Sequence, residues 1–254
     1  LKPNVKDEAM SPVIEERLSL LDSLVLKEGG HSSTQDAYCV MEAVAYIAGE
    51  PWSDAPRCAC PVITAFMVAW NDSLPTDEDR TRLLKPLIPK IVGTRSTAKV
   101  QFARSMMAMD WLCREFVPAW LVLTPSLVSH AETLRAAKPI QSWYDVRAIS
   151  SDLSAACSAA DSAADSAADL AAYLAARSAA DSAADSAADL AAYLAAYSAA
   201  GSAAGSAADS AAGSAAYLAA YSAADSAADS ALQPTTEALQ ASAVKLVERM
   251  ISVK

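Results

Sequence analysis

Ser154-Ala-Ala-Cys157, Ser158-Ala-Ala-Asp161 and onward to Ser226-Ala-Ala-Asp229 make nineteen unbroken tetrads of the pattern Ser/Leu-Ala-Ala-X. X is Asp nine times, Tyr five times, Gly three times, and Cys157 and Arg177 once each. Half of the tract is Ala, the strongest helix former. A period of four also suits a strand, but strands favour β-branched and aromatic residues, and the tract holds no Val, Ile or Thr. It reads as helix, and it makes the expected fold class all-α.

An α-helix turns about 100° per residue, so each tetrad advances the pattern about 40° past a full turn. The Ala face therefore winds around a long straight helix once in roughly nine tetrads. Two outcomes follow: wrapping with a right-handed bias, or shorter antiparallel pieces in close Ala–Ala contact. A longer repeat helps choose. Ser158–Arg177 and Ser178–Tyr197 agree at nineteen of twenty positions, and each carries a Leu/Tyr cluster (Leu170, Tyr173, Leu174; Leu190, Tyr193, Leu194). Twenty residues rotate a helix by about 200°, so the two clusters point in nearly opposite directions. Gly201, Gly205 and Gly213 are the weak points, costing about 1 kcal/mol each against Ala. The expected architecture is a multi-helix bundle with a long tetrad-repeat helical hairpin that turns between Gly201 and Gly213.

Asp161, Asp165 and Asp169 recur at every fourth position, as do Asp181, Asp185 and Asp189. Like charges at that spacing repel by a few tenths of a kcal/mol per pair. They read first as a solvated face that keeps an Ala-rich rod dispersed, and second as a partner-binding acidic rail for a basic protein or for cations.

Outward from the tract, the charge is uneven. The chain of 254 residues carries a formal −10; residues 1–150 hold 16 basic and 18 acidic side chains, whereas residues 151–232 hold ten Asp and one Arg. So acidic a chain is a poor candidate for direct nucleic-acid binding, which needs Lys and Arg against phosphate. No charged segment followed by an apolar one opens the chain, so no signal peptide is expected. Apolar runs fall far short of the roughly 18 residues that span a bilayer. The five Cys then read as reduced thiols, and the location as cytoplasm or virion.

Residues 1–150 read as a helical head. Ser11-Pro12 starts a helix with Leu18, Leu21 and Leu24 on one side. A second helix is expected from Ser33 or Thr34, with Tyr38, Met41, Val44, Ala45 and Ala48 as its stripe. Pro61 opens a third, apolar nearly all round and so central. Asn71-Asp72 reads as turn chemistry, and Thr76 with Asp79 as a capping box. Pro86 and Pro89 predict a kink or two short pieces. Ser96 or Thr97 caps a helix that Pro118 should break, Thr124-Pro125 starts another, and Ser142 caps one running straight into the tetrads. Residues 151–232 form the extension. In 233–254, Thr235 or Thr236 caps a last helix whose stripe of Leu239, Ala243, Leu246, Val247 and Met250 packs back on the head.

Chemistry-bearing residues concentrate outside the repeat, in His31, Cys39, Glu42, Asp54, Cys58 and Cys60. His31, Cys39, Cys58 and Cys60 could close a tetrahedral zinc site, although Cys-x-Cys is less diagnostic than paired Cys-x-x-Cys. Cys39 and Glu42, one turn apart, would face the Cys loop if it folds over. The competing reading is buried thiols acting as small hydrophobes. His130 reads as a surface residue and Met106–Met109 as core. No phosphate loop, nucleophile elbow or His-Glu-x-x-His motif appears, and no catalytic residue is assigned.

The words Cys39-Val-Met-Glu42-Ala, Ala-Gly-Glu50-Pro-Trp-Ser-Asp54, Cys58-Ala-Cys60-Pro-Val, Asn71-Asp72 and Val92-Gly-Thr94 carry a resemblance. They resemble a family of uncharacterised actinobacterial and actinobacteriophage proteins with Ala-rich tetrad tracts before a short C-terminal helix. The resemblance implies a phage or actinobacterial origin and lends no activity. The expected function is a structural or interaction protein, phage- or particle-associated, whose partner is protein and in the first place its own copies. The alternative is a zinc-binding helical enzyme or regulator using the Cys region, and a third option is an acidic decoy for a nucleic-acid-binding protein.

Overall fold

The computed structural model describes residues 13–33, 37–163 and 232–254. Within them the fold is all-α and multi-helical, and the extended pairing reduces to one isolated parallel bridge between Leu26 and Tyr38. Tyr38 therefore leaves the helical stripe expected of it.

Entry into the head is broken. α1 (Glu15–Leu18) and α2 (Leu20–Ser23) are single turns, and Leu24 turns extended so that Leu24 and Leu26 enter the core. The Ile14 N–H bonds the Ile47 carbonyl at 2.8 Å, next to Gly49. Gly49 holds φ 73°, and a Cβ there would meet Ile14 Cδ1 at 2.6 Å. Only glycine satisfies both demands.

α3 (Val40–Ile47) starts several residues later than the periodicity predicts. Cys39 is its N-cap, accepting from the Glu42 N–H, while the Glu42 carboxylate accepts from the Cys39 N–H: a capping box with a thiol in the serine's place. α4 (Pro61–Ser73), with Pro61 in its first turn, packs on α3 and on the later helices α5 (Asp77–Leu84), α7 (Ala98–Trp111) and α11 (Gln233–Ser252). No residue from Pro61 to Asn71 is exposed, in keeping with the central place its composition predicts. The helix extends through Asn71-Asp72, so these are not a turn. Asn71 instead accepts from the Val40 N–H and donates to the Lys27 carbonyl, and Asp72 accepts from the Gly29 N–H.

α5 (Asp77–Leu84) is capped by the Thr76 hydroxyl. Pro86 and Pro89 then divide the segment into a 3₁₀ turn (Lys85–Leu87) and α6 (Ile88–Ile91), as the two prolines predict. α7 (Ala98–Trp111) is capped by Thr97. It does not break at Pro118. A π turn (Leu112–Phe116) joins it to α8 (Val117–Leu121), with the Val117 N–H bonded to the Leu112 carbonyl. Widening the helix by one residue lets it pass a proline that has no N–H to give. A 3₁₀ turn (Pro125–Leu127) leads into α9 (Val128–Ala136).

α10 (Trp143–Ala163) runs unbroken into the first tetrads. The Asp145 carboxylate accepts from the Ser142 hydroxyl and the Gln141 N–H, and these bonds hold it below the usual carboxylate range. Val146, Ile149, Leu153, Ala156 and Ala160 are buried, at helical spacing, on the side that meets α9. The expected turn between Gly201 and Gly213, and the hairpin it would make, lie outside the described residues. The chain is described again from Leu232, which opens α11 (Gln233–Ser252). Its cap is Leu232 rather than Thr235 or Thr236, because Pro234 is accommodated in the first turn, where a missing N–H costs nothing.

The α11 stripe Leu239, Ala243, Leu246, Val247 and Met250 is buried against α4, α5, α7 and α8. Phe66–Trp70, Phe66–Trp111, Trp111–Phe116 and Phe116–Trp120 form a chain of ring contacts through the same core, with centroids 5.3–6.3 Å apart.

Candidate functional site

The sequence constellation resolves into two places. At the start of α3, Glu42 is 2% exposed and collects three donors. Its carboxylate accepts from the His31 N–H at 2.6 Å, from His31 Nδ1 at 2.9 Å and from the Cys39 N–H at 2.7 Å. Trp52 Nε1 donates to the His31 carbonyl at 2.6 Å, and its ring packs edge-on against Tyr38. At the start of α4 stands the other group. The Cys60 N–H donates to the Thr94 hydroxyl at 3.0 Å, and the Arg95 N–H donates to the Cys58 carbonyl at 2.8 Å.

Four zinc ligands would have to converge. His31 is instead turned onto Glu42, Cys39 caps α3, and Cys58 and Cys60 are built into the loop before α4. Among the described residues no group of three His, Cys, Asp or Glu side chains is placed to hold a metal ion. Asp161 lies in α10; Asp165, Asp169, Asp181, Asp185 and Asp189 lie outside the described residues.

The thiols are equally constrained. A helix N-cap ordinarily lowers a thiol's pKa, but burial outweighs this at Cys39, which is pushed up to about 12, with Glu42 adding to the rise. Burial pushes Cys58 up to about 11, and raises Cys113 as well. Cys39, Cys58, Cys60 and Cys113 are buried, while Cys157 on α10 is half-buried. In the native protein at pH 8 a maleimide should label Cys157 first, and the other four roughly 100-fold more slowly than in urea. Labelling of Cys39 or Cys58 as fast as Cys157 would show an accessible thiolate. Cys39 and Cys58 stay protonated in the folded chain below pH 9.0, so their contribution to stability is intact there and is lost as pH rises through about 11 and 12.

A third place escapes sequence reading. The π turn, α8, α9 and the first turns of α11 line an open cleft of about 600 Å³. Its lining combines the apolar Ala119, Val122, Ala238 and Leu239 with the guanidiniums of Arg114 and Arg135. Arg114 Nη1 reaches Asp110 at 3.0 and 3.3 Å, while its Nε is buried with no partner among the described residues. Arg135 Nη2 donates to the Pro118 carbonyl at 3.3 Å. Glu115 also lines the cleft, but it accepts from the Ser242 hydroxyl at 2.5 Å and lies 3.8 Å from Arg249. Arg114 and Glu115 face the cleft from a π turn, a distortion found disproportionately at functional sites. Arg114 and Arg135 lie 21 positions apart, on two elements whose packing no local pattern specifies.

Comparison with protein-family models, with curated proteins and with solved structures gives no match to this chain.

Proposed function

We propose that this is a structural or interaction protein: a helical head that holds an acidic, Ala-rich tract by both ends and self-associates through it. What supports this most is the rooting of the flanks. α10 carries the first tetrads out of the core on Val146, Ile149, Leu153, Ala156 and Ala160, and α11 carries the chain back on Leu239, Ala243, Leu246, Val247 and Met250. A chain held at both ends by buried apolar stripes keeps the repeat attached to the head at two points. The Ala pairs of the repeat have little area to bury on bulky partners and fit each other closely. Buried thiols and a committed His31 favour this reading over metal or thiol chemistry.

Sedimentation equilibrium tests it. The full chain should gain mass with concentration, and deleting Ser178–Tyr197, one copy of the twenty-residue repeat, should weaken that gain while leaving thermal unfolding of the head intact. A strict monomer at high concentration would refute self-association. Membership of a phage or other particle rests on the resemblance alone, and it predicts a gene lying among those for structural components. Neighbouring metabolic genes would count against it. Among the described residues no helix is long and apolar enough to cross a membrane.

A further inference from the structure

We infer that the cleft between α8 and α11 receives the Asp-bearing tetrads of a second copy of the chain. This rests on the self-association proposed above and names where the tract lands.

The chemistry of the cleft selects its occupant. Arg114 and Arg135 ask for carboxylates, and Ala119, Val122, Ala238 and Leu239 in the same lining ask for a slim apolar surface. Asp110 meets one nitrogen of Arg114, and among the described residues Arg135 forms no ion pair, so both guanidiniums keep donors to offer. The tetrads supply the complement in one segment: carboxylates at every fourth position, with an Ala pair before each. The charges are also apportioned for it. The tract holds nine Asp against one Arg, while the cleft is lined by Arg114 and Arg135 against one carboxylate, Glu115, which accepts from Ser242 and lies 3.8 Å from Arg249.

Position supplies the second support. Pro234 and Thr235, at the rim of the cleft, follow Leu232, where the described chain resumes after the tract. Each copy thus carries a cleft lined by two arginines and, directly before its rim in sequence, an acidic tract. Two such copies can exchange tracts around a two-fold axis and close as a dimer, without further surfaces left to propagate.

The experiment compares the full chain with two variants by sedimentation equilibrium at low and high salt. One variant is Arg114→Gln/Arg135→Gln; the other replaces Asp161, Asp165, Asp169, Asp181, Asp185 and Asp189 by Asn. Arg135→Gln alone, at an exposed position, guards against misfolding, and thermal unfolding of every variant is recorded alongside. Association of the full chain should weaken roughly tenfold or more in either multiple variant and at high salt. An equimolar mixture of the two variants should recover part of it, because one brings an intact tract and the other an intact cleft. Assembly that is indifferent to both variants overturns the cleft as the landing site and leaves contact between tracts standing. A full chain that never assembles overturns the self-association itself. A Gln variant that keeps its mass, yet loses amide protection at 232–242, assigns the cleft to its own tract and overturns the exchange.

Discussion

Replacing Arg104 by Met should lower the stability of the protein by about 3 kcal/mol, a large part of the 5–15 kcal/mol typical of a domain. Arg104 lies on α7 and is 2% exposed. Its Nε donates to the Met250 carbonyl at 2.7 Å, Nη2 to the Val253 carbonyl at 2.8 Å, and Nη1 to the Thr94 carbonyl at 2.5 Å. Two of these carbonyls belong to the end of α11, where the backbone leaves acceptors unpaired and the helix dipole favours a cation. The third belongs to Thr94, whose hydroxyl accepts from the Cys60 N–H. One side chain thus ties the last turn of α11 to the loop before α7 and, through it, to the start of α4. Methionine keeps most of the volume and leaves the carbonyls unmet. Lysine keeps the charge, but a single ammonium cannot span three acceptors in a plane, so Arg104→Lys should lose more than half as much. Urea unfolding measures the change, and amide exchange in 246–253 localises it. A loss below about 0.5 kcal/mol, the range of a neutral surface change, would show that the three bonds stabilise nothing.

Glu42→Ala should cost a similar amount, about 3 kcal/mol, by leaving two backbone N–H groups and the His31 ring without their acceptor. Because the carboxylate is buried, these bonds are not replaced by water when it is removed. Glu42→Gln keeps the shape and one acceptor oxygen but turns an amide toward a donor, so about 2 kcal/mol is expected. His31→Ala should cost less than either, since it removes one donor and leaves the Cys39 and His31 N–H bonds in place. If Glu42→Ala and His31→Ala cost the same, the carboxylate serves His31 alone and the capping box contributes nothing. Thermal unfolding at fixed pH separates the two outcomes.

Several elements were legible because their signals are local. Pro61 opens α4, Thr76 and Thr97 cap α5 and α7, and Pro86 and Pro89 cut the segment between them. Each acts within one turn of backbone. The misses share a different cause. α3 starts at Val40 because a thiol caps it, and because Glu42 is held from His31, 11 positions earlier. Pro118 passes through a helix because the π turn before it absorbs the lost bond. Tyr38 leaves the helical stripe because Lys27 bonds its carbonyl at 2.9 Å. In each case a preference worth a few tenths to about 1 kcal/mol yields to packing or to a distant hydrogen bond worth more.

In the candidate site the residue types were legible and their partners were not. His31, Cys39, Glu42, Asp54, Cys58 and Cys60 read as one group; the structure joins the first three, while the loop of Cys58 and Cys60 bonds to Thr94 and Arg95. Arg104, Arg114 and Arg135 carry no local signal, since single arginines in amphipathic helices look like solvated charges until their surroundings are known.

By itself, then, the sequence determined the all-α class and the concentration of negative charge in the tetrads, because Ala propensity and Asp spacing are properties of neighbouring residues. Only the tertiary structure decided which charges are buried and what they hold: Arg104 on the end of α11, Glu42 on the start of α3, and two arginines in the lining of one cleft. The physical reason is that burial and hydrogen-bond geometry depend on elements far apart in the chain, and the energy of a charge is set by those surroundings rather than by its neighbours in sequence.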